Sequence, residues 1–268
     1  MSILKEIILN KRKEIDYLKN NNSISEIEKS LFFDREVISL KKSLIEKSGI
    51  ISEFKRKSPS KPNINLDADV QKITRGYEIS NSSGLSILTD SKYFGGSNED
   101  ITLVRNEINI PILRKDFILE EYQIVESKSL GADIILLIAA CLSKEEVKNL
   151  SRFAKSFNLQ VILEIHSEDE IAHLCDSIDV VGVNNRNLKK FETDINNSIN
   201  LAGMIPSSFL KISESGISTS KEIFQLKEYG YDGFLIGENF MKNNDPVSAC
   251  NHFIKELWLI GTELKFVV

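Results

Sequence analysis

Long apolar runs are missing from this 268-residue chain. None approaches the roughly 20 residues needed to cross a bilayer. Met1 to Lys19 alternates charged residues with isolated Ile and Leu, where a secretory signal would need a continuous apolar segment. A membrane-spanning or exported chain is therefore not expected, and a cytoplasmic one is. Blocks of a single charge are missing too. The net charge is −5 with Lys and Arg scattered, which argues against a nucleic-acid surface and leaves anion binding to local groups of basic residues. Cysteine is scarce: Cys141, Cys175 and Cys250 are odd in number and far apart, unlike a zinc site or redox pair, and are expected as unpaired thiols in or near the core. The three histidines, His166, His173 and His252, are scattered and no His-Glu-x-x-His pattern occurs, so no metal is expected.

What is present suits a soluble globular protein: 41% hydrophobic and 27% charged residues can bury a sizeable core. The length allows one α/β barrel or two smaller domains. After about Ser48, short β-branched runs alternate with longer helical patterns, as when crossover helices join parallel strands. The strand candidates are Gly49 to Lys55, Leu85 to Thr89, Ile110 to Lys115, Ala132 to Ile138, Gln160 to Glu164, Val180 to Asn184, Phe209 to Ser213, and Gly233 to Gly237. Runs such as Ile134 to Ile138 are apolar throughout, as expected of strands covered on both faces. Right-handed crossovers could close a barrel or wind an open sheet, and eight strands with about one helix between each pair favour the barrel.

The expected fold class is thus α/β, a (β/α)8 TIM barrel forming a single domain over residues 1–268. A helical extension over 1–48 would cap the barrel mouth, the barrel would occupy 49–257, and a tail would follow over 258–268. In the extension, Asn20 to Ser25 is a polar break between helices, and Lys11-Arg12-Lys13 reads as a solvated helix face. Phe240 to Glu256 is expected as the last turn and helix, and Leu264 to Val268 is apolar enough to pack on the barrel or on a partner.

Charged and small polar residues recur at the C-terminal ends of these strands. Glu53 and Lys55 close the first, Lys115 the third, Glu164 the fifth, and Asn184 and Arg186 the sixth; Glu214-Ser215-Gly216 follow the seventh and Gly237-Glu238 the eighth. In a barrel these positions converge on one mouth, where this fold keeps its active sites. One such residue is no more than a strand returning to solvent, but a set at successive strand ends is not readily a coincidence. Lysines, an arginine and carboxylates around one pocket suit an anionic substrate undergoing acid–base chemistry. The Gly-containing turns after the seventh and eighth strands fall at the common phosphate position of this fold. His166, two residues past Glu164, reads as a loop residue.

Ile51-Ser52-Glu53-Phe54-Lys55-Arg56-Lys57-Ser58-Pro59-Ser60-Lys61 resembles the first-strand signature of indole-3-glycerol-phosphate synthases, an enzyme family of tryptophan biosynthesis. Further similar segments follow in the family's order: Leu85 to Asp90, Phe94 to Ser97, Ile112-Leu113-Arg114-Lys115-Asp116-Phe117-Ile118, Gly131-Ala132-Asp133, and Asn184-Asn185-Arg186-Asn187-Leu188. The resemblance implies a phosphosugar substrate, 1-(2-carboxyphenylamino)-1-deoxyribulose 5-phosphate, closed to an indole with loss of carbon dioxide and water and with no cofactor. It implies Lys115 as general acid at the sugar carbonyl, Glu164 as acid/base in the dehydration, and Lys55 as partner of the substrate carboxylate. Glu53, Asn184 and Glu214 would position the reacting groups and tune the lysines. Arg186 would shape and charge the site, and Ser58, Ser215, Gly216, Gly237 and Glu238 would hold the phosphate, Glu238 through its backbone N–H with its carboxylate turned outward. A lysine beside another cation would have a lowered pKa. Association with other enzymes of tryptophan biosynthesis remains open.

Pro62 stands where the family usually has Gly, Asn81-Ser82 replace Gly-Ala before the second strand, and Val70 replaces a helix-start Pro. Two alternatives stay open at this point. Another phosphosugar barrel would not need Lys55, Lys115 and Glu164 together, and a non-catalytic barrel would not need to keep them.

Overall fold

The computed structural model describes residues 2–187 and 192–265. Leu188 of the Asn-Asn-Arg-Asn-Leu segment and Phe266 to Val268 of the closing apolar stretch lie outside the described residues. Eight parallel strands, β1 (Ile50–Phe54), β2 (Gly84–Leu88), β3 (Ile112–Lys115), β4 (Ile134–Ile138), β5 (Gln160–Ile165), β6 (Val180–Asn184), β7 (Leu210–Glu214) and β8 (Gly233–Ile236), pair in chain order and close into a barrel. Every expected strand is present, with its ends moved by two residues or fewer. Of the two largest shifts, at the starts of β3 and β4, the one at β3 has a local cause: Pro111 cannot donate to the ladder and contributes only its carbonyl, which accepts from Leu85 N.

The period of two along each strand decides what faces the barrel axis. Ile51, Leu113, Ile134, Leu136, Ile138, Ile162, Val180, Ile212 and Leu235 pack together as the inner core. Their neighbours Ile50, Phe54, Ile112, Ile135, Leu163 and Val181 pack outward under the helices. Counting on by twos puts Glu53 and Lys55 on the face of Ile51, Lys115 with Leu113, Glu164 with Ile162, Asn184 with Val180, Glu214 with Ile212 and Gly237 with Leu235. The inner face therefore begins apolar and turns charged at the C-terminal ends, with the packed layer as floor.

The N-terminal extension closes both ends of the barrel, not the mouth alone. Its first helix, Ile3–Asn21, is capped by Ser2 and sends Ile3, Leu4 and Ile7 to the mouth. A helix break at Asn22 and Ser23 precedes the short helix Ile24–Ile27. A later helix, Leu40–Glu46, adds Leu40 and Leu44 to the inner core from the opposite end. Leu44 is so close to the start of β8 that a Cβ on Gly233 would meet it at 2.7 Å.

Lys11 corrects the expectation of a solvated basic face. Arg12 and Lys13 are exposed, but Lys11 shares the inward stripe with Ile7 and Ile15, four residues to either side, and is 1% exposed. Its ammonium pairs with Asp116 at 2.9 Å, Glu14 at 3.0 Å and Asp90 at 3.2 Å, which pins the first helix to the ends of β2 and β3. The last helix continues past Glu256, running over Pro246–Lys265. Asn81, where the family has Gly, takes a left-handed φ of 68°, which Asn tolerates better than most residues. All three cysteines are free, with Cys250 buried and Cys141 and Cys175 half-buried.

Candidate active site

A cavity of about 290 Å³ opens at the C-terminal ends of the strands. All twelve residues singled out from the sequence line it: Glu53, Lys55, Ser58, Lys115, Glu164, Asn184, Arg186, Glu214, Ser215, Gly216, Gly237 and Glu238. At its centre Lys115 Nζ donates to Glu164 Oε2 at 2.7 Å and to Glu214 Oε2 at 2.9 Å. Beside it Lys55 Nζ donates to Glu53 Oε1 at 2.6 Å, and Ser86 Oγ holds the other Glu53 oxygen at 3.3 Å. Asn184 Oδ1 accepts from Arg186 N at 2.9 Å, fixing the start of the loop after β6.

Two glycines make room for this charge. A Cβ on Gly182, inward on β6, would lie 2.3 Å from Glu214 Oε1, and one on Gly237 would lie 2.4 Å from Glu53 Oε1. The carboxylates thus occupy space that any side chain at these positions would take. After β7, Ser215 and Gly216 both adopt positive φ, and Asn185 Nδ2 donates to Ser215 O at 3.0 Å to hold the turn.

The electrostatics depart from the expectation of a lysine with lowered pKa. Burial alone would favour the neutral amine, but Glu164, Glu214 and Glu53 outweigh it and push the Lys115 pKa up. Its nearest charged neighbours are carboxylates, not another cation, so it is a fully charged ammonium at neutral pH. Glu164 and Glu214 share that ammonium and split apart. Burial disfavours the Glu164 carboxylate, yet Lys115 and His166 together hold its pKa down to about 2. Burial and the Glu164 charge push Glu214 up to about 7, against the pull of Lys115. One carboxylate is thus ionised and the other is poised to carry a proton, a pair that titrates as a unit. Glu214 Oε1 is buried in the space left beside Gly182, without a hydrogen-bond partner among the described residues.

At the rim, Arg186 Nη1 donates to Ser60 Oγ at 2.9 Å, and Ser58 turns back on Lys61 in a tight backbone pair. The Glu238 carboxylate does not point out to solvent. It pairs with Lys61 at 2.5 Å and lies 3.8 Å from Arg186, so an internal carboxylate bridges two rim cations.

Sequence reasoning missed the apolar wall. Ile3, Leu4 and Ile7 of the first helix, with Leu88, Phe94, Phe117, Leu136 and Ile138 from β2 to β4 and their loops, make one side of the cavity greasy enough for an aromatic ring. The inward parity of Leu136 and Ile138 would have found two of them. Among the described residues, no group of three or more His, Cys, Asp or Glu side chains is arranged to hold a metal ion. The arrangement therefore offers two ammonium groups, an ionised and a protonatable carboxylate, an apolar wall, and a rim of glycine turns and cations.

Comparison with known proteins is consistent along the chain. The family model described as indole-3-glycerol phosphate synthase matches residues 4–257. An indole-3-glycerol phosphate synthase of Bacteroides thetaiotaomicron is 45% identical over 256 residues, covering 95% of this chain and 98% of that one. Another, of Campylobacter fetus, is 42% identical over 250 residues, covering 92% and 97%. Among solved structures, 3-hexulose-6-phosphate synthase from Salmonella typhimurium superposes with a TM-score of 0.62 at 12% identity, covering 78% of this chain and 98% of that one. The tryptophan synthase alpha subunit from Legionella pneumophila gives 0.58 at 14% identity, covering 81% and 96%. At such identities these structures share the fold alone.

Proposed function

The chain belongs to the indole-3-glycerol phosphate synthase family, a decarboxylating lyase family of tryptophan biosynthesis, and on that premise we propose how its own residues divide the reaction. The substrate is 1-(2-carboxyphenylamino)-1-deoxyribulose 5-phosphate. Its aromatic ring lies on the apolar wall, its carboxylate beside Lys55, and its phosphate at the rim formed by Ser58, Arg186 and the turns at Ser215-Gly216 and Gly237-Glu238. Holding the two ends in this way presses the ring carbon that bears the carboxylate against the sugar carbonyl.

Lys115 is the general acid. As the ring carbon bonds to the carbonyl carbon, the carbonyl oxygen gains negative charge, which a fixed ammonium stabilises more than the neutral ground state. The proton passes from Nζ to that oxygen to give a hydroxyl. The carbon–carboxylate bond then breaks, its electron pair restores the aromatic ring and carbon dioxide leaves. In the last step the hydroxyl takes a second proton from Lys115, which Glu214 has reprotonated, and departs as water, while Glu164 accepts a proton from the adjacent carbon and the indole double bond forms. Glu53 holds Lys55, Asn184 fixes the turn that carries Arg186, and Glu214 shares Lys115 and can return a proton to it.

The observation that carries this assignment is Lys115 Nζ, 2.7 and 2.9 Å from two carboxylates of opposite proton affinity at the floor of a half-apolar cavity. We place the enzyme in the cytoplasm as one catalytic unit. Among the described residues no helix is long and apolar enough to cross a membrane. Docking to other enzymes of the pathway is testable by co-purification. The reaction itself is tested by indole fluorescence on mixing protein and substrate without added cofactor. We expect signal from wild type and losses of about a hundredfold or more in Lys115→Ala and Glu164→Gln. Folded wild type that gives no indole would sink the assignment, and unchanged rates in either variant would sink that residue's part.

A further inference from the structure

His166 stands one residue beyond β5 and two after Glu164, so its side chain continues the inward face of that strand. Its ring lies between two carboxylates: Nε2 is 3.5 Å from Glu164 Oε1 and Nδ1 is 3.6 Å from Glu170 Oε2. Both nitrogens are sealed from solvent and have no hydrogen-bond partner among the described residues. A neutral imidazole has an N–H on only one nitrogen, so either tautomer would turn a bare lone pair toward a carboxylate oxygen. Only the imidazolium presents a proton to each.

The surroundings hold the ring in place. Glu170 Oε2 also accepts from the His166 backbone N at 2.6 Å, and Asn197 Nδ2 donates both to His166 O at 3.2 Å and to Asn184 O at 3.0 Å. The end of β5 is thereby tied to the end of β6.

We propose that His166 is a positioning residue for Glu164: as an imidazolium bridging Glu170 and Glu164, it fixes Glu164 Oε1 and keeps that carboxylate ionised, leaving Oε2 to Lys115 and the reacting substrate. The inference rests on the acid/base part assigned to Glu164 above.

The other groups around the ring fit a charged state. Burial opposes the imidazolium, but Glu170, Glu164 and, from β7, Glu214 outweigh it and raise the His166 pKa. Lys115 of β3 sits on the far oxygen of Glu164. His173, on the same 3-10 turn as Glu170, is engaged by the carbonyls of Glu170 and Leu142. The Cys141 thiol, after β4, is pushed up to about 12 by burial and by Glu164 and Glu170, so it stays neutral. Asn184 and Asn197 carry no charge.

Two measurements test this, one independent of turnover. By NMR of labelled histidine, the resonance absent from His166→Gln should titrate above the ordinary imidazole value of about 6.5 in wild type and move down in Glu170→Gln. In the pH profile of kcat, wild type should lose rate on the alkaline side as the imidazolium is lost. His166→Gln should lose that limb, shift the acid limb up by about one unit or more, and turn over about tenfold more slowly with KM within about twofold, since the phosphate rim is untouched. Glu170→Gln should keep the alkaline limb but move it to lower pH, and shift the acid limb by less than His166→Gln does. A His166 that is neutral at pH 6.5, or a His166→Gln profile that superimposes on wild type, would overturn the proposal. A wild type with the raised titration but no indole formation would instead overturn the synthase assignment, and the role of His166 in it, while leaving the bridge in place.

Discussion

Lys11 and Lys115 sit about the same barrel end, one buried and the other mostly so, and each is ringed by carboxylates. Lys11 meets Asp90, Asp116 and Glu14, with Arg114 also pairing with Asp116; Lys115 meets Glu164 and Glu214. Both ammonium groups have raised pKa values, because the carboxylates outweigh burial. They differ in what lies on the open side. The Lys11 side chain is 1% exposed and its partners Asp90 and Asp116 are 2% and 1%, so of this cluster only Glu14, at 34%, reaches solvent. Lys115 is 15% exposed and borders the cavity, and one of its carboxylates is pushed up to about 7 while the other is held down to about 2. A sealed cluster fastens one element to another; an open one with its proton affinities split can transfer protons. Residue types and burial alone do not distinguish the two.

The strongest way to break that contrast is Lys11→Met. It leaves Asp90 and Asp116 short of a cation in a water-free place, and we expect a loss of about 3–5 kcal/mol in stability, measured by denaturant unfolding. Turnover at saturating substrate should stay near wild type, with KM raised because Ile3, Leu4 and Ile7 are carried on the same helix.

Next in size is Gly182→Ala, a single methyl inside the barrel. It must push Glu214 away from Lys115, and a displacement of that order lowers kcat by about ten- to a hundredfold. Combined with Glu214→Ala, it should add almost nothing, which a double-mutant cycle would read directly. A full additive loss in the double variant would mean that Gly182 acts by some other route.

The split between the two carboxylates predicts a smaller, pH-dependent effect. Glu214 has a folded pKa above its unfolded one, so its contribution to stability is fully present below about 4.5 and is lost as pH rises toward about 7. Glu164 has the opposite sign: its contribution is present above about 4.5 and is lost as pH falls toward about 2. Glu214→Gln should therefore melt higher than wild type at pH 8 and much like it at pH 5. Equal melting differences at both values would contradict the raised Glu214.

The smallest effect belongs to the rim. Glu238→Gln frees Lys61 and Arg186 from an internal carboxylate, and with Lys61 54% exposed the change should be worth no more than about 1 kcal/mol. We expect a KM lower by up to about fivefold at low salt, narrowing as salt is added, with the melting temperature unchanged.

Much of this was legible in the sequence, for identifiable reasons. Strands covered on both faces are near-continuous aliphatic runs, so all eight could be counted, and charge at the C-terminal ends of such runs has only the barrel mouth to enter. Eleven residues chosen in that way, and Ser58 from the resemblance, line one cavity. Lys11 was misjudged because it lies in a run of three basic residues, although its spacing from Ile7 and Ile15 marked it as inward. His166 was passed over because it follows a strand end, although its parity with Glu164 marked it too. The pKa directions were not legible, since they depend on which side chains meet across the barrel: Lys115, Glu164 and Glu214 are 49 and 99 residues apart in the chain. The N-terminal extension divides between the two ends of the barrel for a similar reason, because helical patterns show which face is buried without showing against what.

The most direct test sets Lys115→Met beside Lys11→Met, with kcat for indole formation and the unfolding free energy measured on both. Lys115→Met should lose turnover by about a thousandfold and less stability than Lys11→Met, because Lys115 is 15% exposed and its carboxylates, though only 5% and 2% exposed, border a cavity that water can enter. Lys11→Met should show the reverse. Comparable losses of both quantities in the two variants would contradict the account, because the open and the sealed cluster would then be serving the same purpose.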